Sequence, residues 1–140
     1  MEKRICVIDG QGGGIGATLI KYLSAALDEN VSLVALGTNA VAVANMLKAG
    51  ANRGASGENA ICWGIQAAEC IVGPIGILWA NAMLGEITPK MAEAVASNPA
   101  RKILLPLSQE PVEIVGQSRE PLPHLVQKAV LMVKEVLKNV

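Results

Sequence analysis

A carboxylate followed directly by closely spaced glycines is the feature of this sequence that points most clearly to chemistry. Residues 5–16 read ICVIDGQGGGIG, so an apolar run ends at Asp9 and leads into a glycine-rich segment. Gly12-x-Gly14-x-x-Ala17 fits the dinucleotide-binding spacing, and Gly10-x-x-x-Gly14-x-Gly16 fits that of short-chain dehydrogenases. Free amides before a helix attract phosphate. We expect the segment to bind a nucleotide, through Gly10, Gln11, Gly12, Gly13, Gly14, Ile15 and Gly16. A strand-to-helix turn without a ligand is the alternative.

Asp9 complicates a phosphate site because a carboxylate beside the loop repels a phosphate. The side chain could accept a hydrogen bond from a ligand hydroxyl or amine, or hold Mg²⁺ between itself and a phosphate. It could also orient the loop by accepting hydrogen bonds from the loop's own amides, which is the role that we favour.

The second apolar run ends in Gly37-Thr38-Asn39, where an NAD site usually has an acidic residue that binds the ribose. Thr38 and Asn39 could instead bind a ribose or a 2′-phosphate, or only cap a helix. Arg53 in the following loop could neutralise that phosphate. Gly73 and Pro74 follow a further strand and allow a ligand to approach the backbone closely. NADP or NAD is therefore the expected cofactor, with a weak preference for NADP.

The residues for catalysis are fewer. Asp9, Glu58 and Glu86 could serve as acid or base, for example in a small enzyme acting on a phosphorylated metabolite, although solvated or capping roles are commoner for such residues. The sequence context supports no serine–histidine or cysteine–histidine pair with the single histidine, His124. Neither the Tyr-x-x-x-Lys motif nor a Gly-Lys-Ser/Thr motif occurs. Three cysteines without a Cys-x-x-Cys pair indicate neither zinc nor a disulfide framework. Whether the protein is an enzyme stays open, and no metal site is expected.

Alternating strands and helices must position these groups. Apolar periodicity predicts strands at 5–8, 31–36, 71–72, 103–107 and 112–115, and a short one within 51–57. Helices are predicted after the glycines and at 40–49, 58–67, 75–84 and 89–96, and a last one carries an apolar stripe from Leu122 to Val140. Continuous apolar strands separated by helices predict one α/β domain over residues 1–140, with a doubly wound, mostly parallel, Rossmann-like sheet and helices on both faces.

Composition narrows the partners. The 140 residues carry 12 basic and 12 acidic side chains, and aromatic residues are only 2%, which argues against nucleic-acid binding. The uncharged run 70–85 is too short and too interrupted by glycine and proline to span a membrane. The amino terminus leads directly into a strand, which favours a cytoplasmic location. The apolar fraction of 51% suggests that another subunit covers part of 70–85, so a homo-oligomer is expected. A non-catalytic homo-oligomeric regulatory protein with 70–85 as its interface is therefore an alternative function.

The strings IDGQGGGIG, ALGTNA, MLKAGAN, GASGENAI, IVGPIGI and MLGEITPKMAEA occur together in this chain. In combination they resemble a small bacterial family that is described only as a domain of unknown function and is found largely in anaerobes. The resemblance spans residues 4–115 and implies no particular activity. A more distant likeness to Rossmann proteins covers residues 5–39 and implies a nucleotide site at the glycines.

Overall fold

Five parallel strands form the centre of the protein in a computed structural model, which describes residues 2–117 and 119–139. The strands are β1 (Lys3–Asp9), β2 (Val31–Gly37), β3 (Arg53–Ser56), β4 (Cys70–Pro74) and β5 (Arg101–Leu105). The helices are α1 (Gly14–Ala26), α2 (Ala40–Ala49), α3 (Glu58–Gly64), α4 (Pro89–Ser97) and α5 (Leu122–Lys138), with short 3₁₀ turns at Ile65–Ala67 and Ile75–Leu78.

The strand order is β3-β2-β1-β4-β5, so the chain winds outward in one direction from β1 and then returns to build the other half. β1 pairs along its whole length with β2, from Lys3 opposite Val31 to Asp9 opposite Gly37, and its middle pairs with β4. Residues 5–8 are fully buried or nearly so, as their continuous apolar character predicts.

Helices cover both faces of the sheet. On one face α1, α2 and α5 pack against alternate strand residues such as Ile5 and Val7. On the other face α3, the 3₁₀ turns and α4 pack against the intervening residues, including Cys6 and Ile8. The predicted doubly wound α/β sheet is therefore confirmed, and every pairing in it is parallel.

The helix predicted at 75–84 is wrong. A 3₁₀ turn ends at Leu78 and is followed by consecutive turns, in which Asn81, Met83, Leu84 and Gly85 have positive φ. The apolar side chains that suggested a helix are instead buried singly against the sheet, Ile77 and Ala82 among them. No helix within residues 2–117 and 119–139 is both long and apolar enough to cross a membrane.

The strand predicted at 112–115 is also wrong. This part of the chain is irregular, and Val115 is fully exposed and lies in a turn. Without a neighbouring strand, Pro111 and Gly116 bound a loop rather than a sheet edge. The strand predicted at 103–107 lies two residues earlier, because Pro106 follows β5 directly. The apolar stripe of α5 is present, and Val140 lies outside the described residues.

The three cysteines differ in environment. Cys6 on β1 and Cys70 on β4 are both fully buried, whereas Cys62 on α3 is partly exposed. Burial raises the pKa of Cys6 to about 11 and that of Cys70 to about 12. All three are free thiols, and the two strand cysteines act as small apolar core residues.

A candidate ligand site at the glycine loop

A crevice opens where the strand order reverses, between the carboxyl ends of β1 and β4. Its volume is about 300 Å³. Open α/β sheets bind ligands at this position because the loops on either side diverge from each other there. The loops after β1, β4 and β5 line it with Asp9, Gln11, Ile15, Pro74, Gly76, Ala82, Met83, Leu107, Ser108, Gln109 and Glu110.

The glycine loop, residues 10–16, turns sharply between β1 and α1. Gly13 has φ of 73°, and its amide donates to the carbonyl of Gly10 at 2.8 Å. A Cβ at Gly13 would lie 2.8 Å from the backbone of Ala42, so this glycine is needed for the turn and for packing against α2. Gly12 and Gly14 differ, because a Cβ on either would meet no atom within 4 Å. The fold itself does not require glycine at these two positions.

Asp9 closes the loop from its buried side. The side chain is only 4% exposed and accepts hydrogen bonds from the amide of Gly10 at 2.8 Å and from that of Gly16 at 2.7 Å. This confirms the prediction that Asp9 orients the loop. Burial raises the pKa of Asp9, and the charge of Glu86 adds to the rise, although the amide hydrogen bonds oppose it.

Glu86 reaches the same loop from the solvent side. Its Oε1 atom accepts hydrogen bonds from the Gln11 amide at 2.8 Å, from the Thr38 hydroxyl at 2.5 Å and from the Asn39 side-chain amide at 2.9 Å. The Thr38 hydrogen bond is the main cause that lowers the pKa of Glu86, with Gln11 and Asn39 adding to it against partial burial. One carboxylate oxygen thus joins the ends of β1 and β2.

The segment that carries Glu86 is shaped by its own backbone. The Asn81 amide donates to the Ile87 carbonyl at 2.7 Å, and the Ile87 amide donates to the Ala82 carbonyl at 3.1 Å. Thr88 then caps α4 by accepting a hydrogen bond from the Met91 amide, and Pro89 occupies the first turn of the helix. Glu86 is therefore held between a tight turn and a helix cap.

These contacts leave two loop amides accessible to a ligand. Asp9 takes those of Gly10 and Gly16, and the Ile15 amide also stabilises its carboxylate. Glu86 takes the Gln11 amide, and the Gly13 amide donates to the Gly10 carbonyl. Within residues 2–117 and 119–139, the amides of Gly12 and Gly14 have no protein acceptor. They lie at the start of α1, where the helix dipole favours an anion.

The structure gathers some of the predicted site residues and separates others. Pro74 lines the crevice, and Gly73 lies beside it at the end of β4. Thr38 and Asn39 adjoin the glycine loop, where Asn39 also caps α2 as predicted by accepting a hydrogen bond from the Ala42 amide.

Arg53 is not part of this group. Its guanidinium lies 3.0 Å from Glu2, which precedes β1 and therefore lies toward the opposite edge of the sheet. Glu58 contacts the cap of α4 instead of the glycine loop, since it accepts a hydrogen bond from the Thr88 hydroxyl at 2.5 Å. His124 is exposed near the start of α5. Of the three candidate acids or bases, only Asp9 and Glu86 come together.

Sequence reasoning missed the third wall of the crevice. Leu107, Ser108, Gln109 and Glu110 follow β5 and reach the glycine loop. The available signal was the Pro106 stop after an apolar run, since a loop that follows a parallel strand lies at the ligand-binding edge.

The described lining contains two carboxylates and neither lysine nor arginine. It can therefore accept hydrogen bonds from neutral or cationic groups more readily than it can hold a second anion. In the part of the chain that the structure describes, no cluster of three or more histidine, cysteine, aspartate or glutamate side chains could hold a metal ion.

Comparison with known proteins identifies the family. No curated protein and no solved structure gave a significant match. One family model, Domain of unknown function (DUF3842), matches residues 4–138. Because this match covers nearly the whole chain, the protein belongs to the DUF3842 family.

Proposed function

We propose that this protein binds a nucleotide or dinucleotide, with NAD and NADP as first candidates, over the open side of the glycine loop. The observation that carries the proposal is the combination of two unhindered amides, those of Gly12 and Gly14, with a crevice of about 300 Å³ at the reversal of strand order. Neither glycine is required by packing, whereas close approach of a phosphate requires both to lack a side chain.

The phosphate lies over the amides of Gly12 and Gly14, at the positive end of the α1 dipole. Fewer amides are available to an anion than the glycine spacing predicts. The protein's own carboxylates accept hydrogen bonds from the amides of Gly10, Gln11 and Gly16. One phosphate group fits this arrangement better than a fully enclosed pyrophosphate does.

The part of the ligand that enters the crevice is neutral or cationic and carries hydrogen-bond donors. Glu110 supplies a carboxylate acceptor, and Pro74 and Met83 offer apolar surface to a ring. A ribose, an adenine amine or a nicotinamide meets this description, whereas a free carboxylate or second phosphate does not.

Binding can be tested by isothermal titration and thermal shift with NAD, NADP, AMP and ATP. A ligand at 100 times its Kd should raise the free energy of unfolding by about 2.7 kcal/mol. A Cβ at Gly14 meets no protein atom within 4 Å, so Gly14→Val should weaken nucleotide binding at least about tenfold while the fold persists. Ala44→Val on the exposed side of α2 is the matched control. Absence of binding by all four ligands to the native protein would refute the proposal.

We also propose that the chain forms a homo-oligomer through the turn segment 79–85. Leu84 is 94% exposed and Trp79 is 43% exposed, and both lie on the segment that the sequence marked as an interface. Light scattering on the native protein should give a mass larger than that of one chain, and Leu84→Glu should reduce the mass to that of the monomer. Val41→Glu, at a 63% exposed position on α2, is the control. A native monomer at micromolar concentration would contradict the proposal.

A further inference from the structure

We propose that Glu86 selects ligands whose ribose beside the glycine loop carries a free 2′-hydroxyl, so that NAD is preferred over NADP. This inference rests on the proposed nucleotide function and identifies the residue that determines its specificity. It reverses the preference that Thr38, Asn39 and Arg53 suggest in the sequence.

Glu86 brings a carboxylate to the place where the sequence lacks one. Dinucleotide sites usually have an acidic residue at the end of the second strand, which binds the ribose hydroxyls. Thr38 occupies that position here, directly after β2. Glu86 Oε1 lies 2.5 Å from the Thr38 hydroxyl and 2.8 Å from the Gln11 amide, so the carboxylate stands between the glycine loop and the end of β2.

The carboxylate is held in place and still has an acceptor to offer. Three donors converge on Oε1, and this fixes the side chain before a ligand arrives. Within the described residues Oε2 has no protein donor, and the side chain is only partly buried. A ribose hydroxyl can therefore donate to Oε2 without displacing any contact of Oε1.

The same charge disfavours a 2′-phosphate. A phosphate within a few ångströms of Glu86 meets a like charge, and among the described residues no lysine or arginine is a hydrogen-bond partner of Glu86 or perturbs its pKa. Arg53, the cation that the sequence suggests, is paired with Glu2 instead. Glu86 therefore favours NAD by accepting a hydrogen bond from its ribose hydroxyl, and it disfavours NADP by repelling its 2′-phosphate.

The test measures the Kd values of NAD and NADP by isothermal titration for the native protein and for Glu86→Gln. We expect the native protein to bind NAD at least about tenfold more tightly than NADP, the size of effect that one charge-assisted hydrogen bond supplies. Glu86→Gln should weaken NAD and strengthen NADP, so that the preference falls by about tenfold or more. Glu93→Gln on the exposed side of α4 removes the same charge elsewhere and should leave the ratio unchanged.

A second variant tests the inference even if Glu86→Gln does not fold. Thr38→Val retains the charge but removes one donor to Oε1, so the preference for NAD should decrease by less than in Glu86→Gln. An unchanged ratio in Glu86→Gln overturns the inference alone. Equal strengthening of both ligands also overturns it, since Glu86 would then only compete for the Gln11 amide. Failure of native and variant proteins to bind either ligand refutes the proposed function, and this inference with it.

Discussion

Asp9 and Glu86 contact the same glycine loop from its buried and its solvent side, and the two contacts differ in origin. Asp9 accepts hydrogen bonds from amides one and seven residues away, so this contact fixes a local conformation. Glu86 accepts from an amide 75 residues away and from Thr38 on a second strand, so it fixes how separate loops meet. Burial raises the pKa of Asp9, whereas hydrogen bonds lower that of Glu86. The inner carboxylate stabilises the loop, and the outer one defines what the loop can bind.

Removing the inner carboxylate should have the largest effect on stability. Asp9→Ala leaves the buried amides of Gly10 and Gly16 without their acceptor, and we expect the free energy of unfolding to fall by about 3 kcal/mol. Urea denaturation measures this change. Asp28→Ala, in an exposed turn, should change stability by less than about 0.5 kcal/mol. Equal values for the two variants would show that the inner contact has no structural role.

The glycines of the loop should also differ in how much each contributes to stability. Gly13→Ala forces a residue with a Cβ into a φ of 73° and against the backbone of Ala42, so we expect a loss of about 2 kcal/mol. Gly12→Ala meets no atom within 4 Å and should stay within about 0.5 kcal/mol of the native protein. Thermal unfolding of the pair tests the difference. Similar losses would mean that the outer side of the loop is also structurally constrained.

The outer carboxylate should contribute less, and in a manner that depends on pH. Glu86→Gln weakens three hydrogen bonds at the surface, and we expect a loss of about 1 kcal/mol at neutral pH. The pKa of Glu86 is lowered in the folded state by the Thr38 hydrogen bond, so its contribution is lost as the pH falls through that lowered pKa. Urea denaturation should therefore show that the difference in free energy of unfolding between the native protein and Glu86→Gln becomes smaller from neutral to acidic pH. A constant difference would contradict the charged role.

The backbone that carries Glu86 should give the smallest effect. Leu84 has φ of 56° and is almost fully exposed within one chain, so this backbone conformation is strained for a leucine. Asparagine tolerates the conformation better than glutamate does, and neither residue retains the apolar side chain proposed for the interface. Leu84→Asn should therefore have a free energy of unfolding about 0.5 kcal/mol higher than that of Leu84→Glu. Asparagine and glutamate at Ala80, one exposed position before the positive-φ residues, should show no such difference. Equal stability of the two Leu84 variants would indicate that the segment holds Glu86 without strain.

Much of the fold follows from short-range patterns in the sequence. The apolar runs that become β1 and β2, the Asn39 and Thr88 caps and the stripe of α5 each depend on residues a few positions apart. The loop-orienting role of Asp9 belongs to this class as well. Such features are predictable because one local conformation satisfies both the backbone and the buried side chains.

The outer half of the candidate site depends on contacts that no local pattern encodes. Ile77 and Ala82 look helical in sequence, but each packs separately against the sheet while the chain between them turns. That turn brings Glu86 to Gln11, and the loop after β5 completes the crevice. Arg53 shows the same limit, since its partner Glu2 lies in a different part of the chain.

The unequal burial of the cysteines gives the native chain a single site for chemical labelling. Thiolates rather than thiols attack alkylating reagents, so Cys6 and Cys70 react only when the sheet opens. A fluorophore attached to Cys62 would leave the sheet intact. The rate at which Cys6 and Cys70 are modified would then report the rate at which the sheet unfolds.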